Sequence, residues 1–105
     1  MAITELKEQE WKEFSGADYA VIDCYGQNCG ACVILAPILD AVADELPGIA
    51  FGRIDISCYP GIANAYGINA MPTLLYFRRG ELIDQTVGSM ERGELLAHVA
   101  KLLYQ

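Results

Sequence analysis

Apolar positions along the chain fall into blocks whose spacing changes from continuous runs to helical periods and back, and each change predicts an element. Ala2 to Leu6 has the length of a short edge strand, and Glu8 to Phe14 sets Trp11 and Phe14 among charges, a weakly amphipathic helix closed by Ser15-Gly16. Tyr19 to Tyr25 is apolar at almost every position, which predicts a central strand covered on both faces, with Asp23 its one charged member. A short polar loop follows. From Gly30 onward Leu35, Leu39, Val42 and Leu46 recur at intervals of four, three and four, while Asp40, Asp44 and Glu45 lie elsewhere on the wheel. That pattern predicts a helix ending at Pro47-Gly48. Within it Pro37 offers no N–H to the Val33 carbonyl, so a kink is expected there.

Ile49 to Ile56 reads as the next strand, and Pro60 to Tyr66 as a short helix with proline in its first turn and Gly67 as its stop. Strand, helix and strand in that order call for parallel pairing through a right-handed crossover. The pattern then changes: Thr73 to Phe77 and Leu82 to Val87 flank Arg78-Arg79-Gly80-Glu81 as a hairpin, and Leu95, Val99, Leu102 and Leu103 mark a closing helix. The expected fold class is α/β, with a mixed central sheet of four to five strands flanked by helices on both faces. No linker, repeat or low-complexity tract divides the chain, so residues 1–105 are expected to form one domain.

Composition narrows the function. An apolar share of 53% in 105 residues is ample for one core, so no disulfide framework is needed to hold it. Four cysteines at irregular spacing suit a reducing compartment, where disulfides are transient. The first residues lack a basic stretch followed by an apolar one, and no apolar run reaches membrane-spanning length, so a cytoplasmic protein without a membrane anchor is expected. A net charge of −7 with no Lys/Arg stripe argues against a nucleic-acid partner.

The candidate chemistry lies between the central strand and the helix that follows it. Cys29 and Cys32, with two residues between them, stand about one helical turn apart, within reach of a disulfide. With Cys29 at the helix N-cap, its sulfur faces backbone N–H groups that lack helical partners, which favours the thiolate. Cys29 is then the nucleophile and Cys32 the resolving thiol. A C-x-x-C by itself is also compatible with an inert disulfide or half of a zinc site, although Cys24, Cys58 and His98 are the remaining ligands on offer and their spacing is unsuitable. Asp23 on its apolar strand is expected to have a raised pKa unless a cation lies close, and so to suit a proton acceptor for Cys32.

Taken together, Asp23 six residues before Cys29, Cys-Gly-Ala-Cys, Pro37, Met71-Pro72-Thr73, Phe77-Arg78-Arg79-Gly80-Glu81 and Val87-Gly88 resemble the thioredoxin family over nearly the whole chain. The resemblance implies a thioredoxin fold and a thiol-disulfide oxidoreductase that reduces protein disulfides, with the Cys29-Cys32 couple as its redox group and neither cofactor nor metal. It implies Asp23 as general base for Cys32 through water, with Arg53, where the family usually has lysine, as the nearby cation; because arginine cannot lose its proton, Asp23 is expected to be held ionised more firmly than in relatives. It also implies a cis bond before Pro72, leaving the Met71 backbone free to pair with an extended substrate segment. Gly88 and Ser89 would offer a second close approach, and Gly30, Ala31 and Met71 an apolar docking surface. Expected partners are a thioredoxin reductase as electron donor and disulfide-containing targets, the protein itself being a monomer. A disulfide oxidant or isomerase, or a peptide-binding module with idle cysteines, are the competing functions. Departures from the family pattern are Tyr25 at the strand end, Asn28 for tryptophan and Ala31 for proline. Unlike proline, Ala31 carries an N–H, expected to donate to the Cys29 sulfur. Cys24 reads as a small core residue and Cys58 as a loop cysteine, and His98 is assigned no chemistry.

Overall fold

The computed structural model describes residues 2–104; Met1 and Gln105, the ends of the expected domain, lie outside the described residues. Five strands, β1 (Ile3–Glu5), β2 (Tyr19–Tyr25), β3 (Ala50–Asp55), β4 (Thr73–Arg78) and β5 (Glu81–Val87), form one sheet in the order β1-β3-β2-β4-β5. β3 pairs in parallel with both β1 and β2, whereas β4 runs antiparallel to β2 and β5, so the sheet is mixed. β2 is central because its apolar residues bury both faces and its backbone is paired on both edges.

Helices α1 (Trp11–Ser15), α2 (Gly30–Glu45), α3 (Pro60–Tyr66) and α4 (Arg92–Tyr104) cover the sheet. Val21, Phe51, Leu74 and Tyr76 pack on one face against Leu35, Leu39 and Val42 of α2 and Leu95, Val99 and Leu102 of α4. On the other face Ile22, Cys24, Ile54, Leu75 and Phe77 meet Leu6, Trp11 of α1, and Ile62 of α3. The period-two alternation of β2 assigns Val21 and Asp23 to the α2 side, and Ile22 and Cys24 to the α1 side.

Three local features refine the expectations. The helix predicted from Glu8 to Phe14 is divided into a 3-10 turn over Glu8–Glu10 and α1. The turn is fixed by the Lys7 N–H donating to the Glu10 carboxylate at 2.8 Å, which favours a tight reversal over a regular first turn. α2 continues through Pro37 from Gly30 to Glu45. The N–H that proline lacks would have met the carbonyl of Val33, an exposed residue, where water is at hand. The β4–β5 connection is only Arg79-Gly80, with φ of 52° and 86°, the left-handed pair that matches the twist of a two-residue hairpin.

Gly52 lies on β3 where α1 presses on the sheet: a Cβ there would come within 2.7 Å of the Phe14 ring and 2.9 Å of Leu6 Cδ1. Gly52→Ala is therefore expected to destabilise the protein by about 1–3 kcal/mol through overpacking. The readout is the urea midpoint at unchanged m-value; an unaltered midpoint would show that Phe14 and Leu6 yield without cost.

Candidate active site

β2 ends at Tyr25, and the chain must cross from the sheet to the start of α2 within Gly26-Gln27-Asn28-Cys29. The crossing is tied to the end of β3. Gln27 donates through Nε2 to Asp55 Oδ2 at 2.7 Å, and Asp55 Oδ1 accepts the Ser57 N–H at 2.9 Å. Burial alone would raise the Asp55 pKa, but the hydrogen bonds from Gln27 and Ser57 outweigh it and hold the carboxylate below its ordinary range. Gly26 leaves the space that the Met71 thioether occupies; a side chain there would collide with it. Asn28 takes φ = 54°, a left-handed conformation that asparagine tolerates better than a bulky residue, and so turns the chain into the helix.

Cys29 is the N-cap of α2, in extended conformation, and is joined to Cys32 by a disulfide across a Cα–Cα distance of 5.3 Å. Its sulfur accepts the Cys32 N–H at 3.2 Å. This corrects the expectation for Ala31. At an N-cap the side chain reaches the N–H of the second or third helical residue, and here the third, Cys32, takes the position. Cys29 is half-buried, whereas Cys32 is only 5% exposed.

The Met71-Pro72 peptide bond is cis, and the Met71 carbonyl oxygen lies 3.6 Å from Cys29 Sγ. The Gly88 N–H donates to the Pro72 carbonyl at 2.8 Å, and Gly88 has φ = 92°, so the end of β5 closes against the same loop. The structure thus brings Cys29, Cys32, Met71, Pro72 and Gly88 to one end of the sheet, with Gly30 and Ala31 in the first turn of α2 and Ser89 exposed beyond Gly88. Sequence reasoning missed Val33 and Ile34. They are 73% and 63% exposed, and their signal was two apolar residues off the α2 seam.

Asp23 is 1% exposed, and its Oδ1 has no hydrogen-bond partner among the described residues. Burial pushes its pKa up to about 6, against the lowering effect of Arg53 and with a further rise from Glu5. Arg53 does act as the nearby cation expected, lowering the Asp23 pKa, but burial is the larger effect. Arg53 faces Asp23 in the β2–β3 register, yet among the described residues its ion pair is with Glu5, at 3.8 Å, and its guanidinium lies 4.0 Å from the centre of the Tyr25 ring. Desolvation of the carboxylate therefore wins. A cleft of about 130 Å³ leads to Asp23 between Ile3, Glu5 and Arg53 of the sheet and Ala36, Leu39 and Asp40 of α2. Cys32, four residues before Ala36, shares that face of α2.

The remaining candidates stand apart. Cys24 is buried and its thiol is pushed up to about 12 by burial and the neighbouring Asp23 charge. Cys58 is exposed beside Asp55, whose charge raises its pKa. His98 meets Asp84 at 2.8 Å and stacks on Tyr76, tying α4 to the hairpin. No cluster of three or more His, Cys, Asp or Glu among the described residues is arranged to hold a metal ion. No helix among them is long and apolar enough to cross a membrane.

Comparison with known proteins gives this arrangement a family. The family model Thioredoxin matches residues 2–101. A thioredoxin of Chlamydia muridarum is 32% identical over 91% of this chain and 94% of its own length. Among solved structures, a mutant thioredoxin from Halobacterium salinarum superposes with a TM-score of 0.89 at 25% identity, covering 98% of this chain and 92% of that one. A thioredoxin of Malassezia sympodialis gives 0.85 at 28% identity, over 94% and 89%. The chain belongs to the thioredoxin family, and with its Cys29–Cys32 disulfide at the N-terminus of α2 it is a thiol-disulfide oxidoreductase.

Proposed function

We propose that the protein is a protein-disulfide reductase in which Cys29 is the attacking and Cys32 the resolving thiol. The observation that carries the reading is their unequal access: Cys29 is half-buried at the N-cap beside the Met71 carbonyl, and Cys32 is sealed beneath it. A substrate disulfide reaches Cys29 first. The Cys29 thiolate, favoured by the Cys32 N–H and the helix N-terminus, attacks one substrate sulfur; that S–S bond breaks, and the departing substrate thiolate takes a proton. Cys32 then gives its proton to Asp23 through water in the cleft and attacks Cys29 Sγ. The Cys29–Cys32 disulfide forms and the second substrate thiolate leaves. Two electrons have passed to the substrate.

Restoring the dithiol requires an electron donor, for which we assign a thioredoxin reductase; the targets are proteins that present a disulfide on an extended segment. The Met71 backbone, with Gly88 and Ser89 opposite, suits such a segment, and Gly30, Ala31 and Met71 give it an apolar footing. Arg53 acts on Asp23 from the cleft mouth as a positioning residue. The free thiols of Cys24 and Cys58 favour a reducing compartment, the cytoplasm being the one proposed. The unit of function proposed is the monomer, as one domain.

Insulin reduction by dithiothreitol is expected to accelerate when the protein is added; no acceleration would sink the reductase reading. Cys32→Ser should accumulate mixed disulfides on Cys29, because attack survives and resolution does not, and Cys29→Ser should capture nothing. Mass spectrometry that found adducts on Cys58 instead would reverse the assignment.

Asp23→Asn carries two expectations. Resolution should slow on the order of 100-fold with attack little changed, as read by stopped-flow fluorescence; equal rates for both steps in the two proteins would remove the general base. Stability should move the other way. The folded carboxyl titrates at about 6, above its ordinary 3.8, so between these values the folded state keeps a proton that the unfolded chain has lost. Stability therefore falls as pH rises from about 4 to about 6 and stays reduced above, by roughly 3 kcal/mol for a difference of about two pH units. Urea titrations at pH 4 and pH 7 should show that fall in the native sequence, with Asp23→Asn abolishing most of it.

A further inference from the structure

Glu5, Arg53 and Asp23 occupy one row across three adjacent strands: Glu5 of β1 pairs in register with Arg53 of β3, and Arg53 with Asp23 of β2. Residues so paired project to the same face, so one cation stands between two carboxylates. Its partner is the outer one. Arg53 Nε is 3.8 Å from Glu5 Oε1, the guanidinium lies 4.0 Å from the Tyr25 ring centre, and the Tyr25 hydroxyl donates to Glu5 Oε2 at 2.7 Å. Tyr25 is two residues beyond Asp23 and shares its face, so its ring and hydroxyl brace Arg53 and Glu5, which line the cleft. Beneath them Asp23 Oδ1 is buried without a partner among the described residues.

We propose that Glu5 is a positioning residue for proton transfer at Asp23, holding the Arg53 guanidinium at the mouth of the cleft and away from the buried carboxyl. The inference rests on the reading of Asp23 as proton acceptor for Cys32. Pairing with Glu5 leaves the Arg53 side chain about a third exposed, so little hydration is lost. Reaching inward to Asp23, which burial has already dried, would strip water from the guanidinium, a cost that only close, bidentate geometry offsets. Glu5 and the Tyr25 ring tip that balance outward. With Arg53 held off, Asp23 keeps a carboxyl able to take up a proton near neutral pH and give it back. Asp40 of α2 also lines the cleft and adds like charge from the opposite wall, so Arg53 is the lone cation among the residues facing Asp23 there. Glu5 also raises the Asp23 pKa through its own charge, a direct effect that solvent weakens because Glu5 is exposed and that the Arg53→Gln background separates from its hold on Arg53.

The test is a carboxyl-carbon NMR titration of Asp23 in the oxidised protein, where Cys29 and Cys32 do not titrate. Glu5→Gln should lower the Asp23 midpoint by about one pH unit, a tenfold rise in acidity, as the cation is released inward. In an Arg53→Gln background the same exchange should move the midpoint by less than half as much. The pH profile of Cys32 resolution should shift with the midpoint in Glu5→Gln, while the rate of Cys29 attack stays unchanged. A midpoint that stays in place or rises overturns the proposal, and so does an equal shift without Arg53, which would make Glu5 a distant charge and no more. These readouts follow the Asp23 proton directly. Failure of the general-base reading would show separately, as undiminished resolution in Asp23→Asn.

Discussion

Burial of β2 on both faces is the constraint from which the site follows. A strand with no solvent-facing side must find partners for its backbone on both edges, and it does so in parallel with β3 and antiparallel with β4. Both pairings end near its C-terminus, where Tyr25 is half-buried and the chain must leave the sheet. The Met71-Pro72 bond lies just before Thr73, which pairs with Cys24, and Asp55 lies opposite Tyr25. The Met71-Pro72 loop, the anchor for Gln27 and the cysteine-bearing helix start are therefore neighbours because each is fastened to the end of the same strand.

The electrostatics of the site arise from the same burial. An N-terminal helical turn presents unpaired N–H groups to whatever occupies the cap, and a sulfur there gains the Cys32 N–H. One layer deeper, a carboxyl with an unpartnered oxygen cannot hold its charge easily. The first environment favours a thiolate at Cys29; the second raises the Asp23 pKa, as the proposed role of proton acceptor for Cys32 requires. The two act at different depths. A single uniformly polar pocket would serve neither, since water would screen the helix N-terminus and return Asp23 to ordinary acidity.

Most of the fold was legible because its signals are local. The continuous apolar run of β2, the four-three-four spacing of α2 and the Arg79-Gly80 hairpin each specify an element within a dozen residues. The cysteine pair and Asp23 were legible for the same reason, as chemistry placed where an element begins or where an apolar run is interrupted. What escaped was long-range. Arg53 was read as the cation near Asp23 from the position where the family usually has lysine, and the two do face each other in register. Nothing near Glu5 revealed that a three-residue edge strand would line up with Arg53 from the other side and take it. The Ala31 N–H was misjudged more narrowly. Cap geometry permits the second or third helical N–H, and the choice is set by how the Asn28 turn aims Cys29.

Alternation along β2 also explains how two chemically opposed groups can be sequence neighbours. Asp23 faces α2 and the cleft, and Cys24 faces the layer of Leu75, Phe77 and α1 on the far side of the sheet. A thiol on the cleft side would lie beside the Asp23 carboxyl and near a disulfide, where exchange with Cys29 or Cys32 would scramble the couple. On the far side it is dry, and both burial and the Asp23 charge hold its proton, raising it to about 12. A one-residue slip of β2 would exchange the two faces, sending the carboxyl into an apolar layer and the thiol into the cleft. Register in this strand is thus a condition of the chemistry as well as of the fold. The two apolar residues before Asp23 enforce it, since Val21 and Ile22 each have a core of their own to fill.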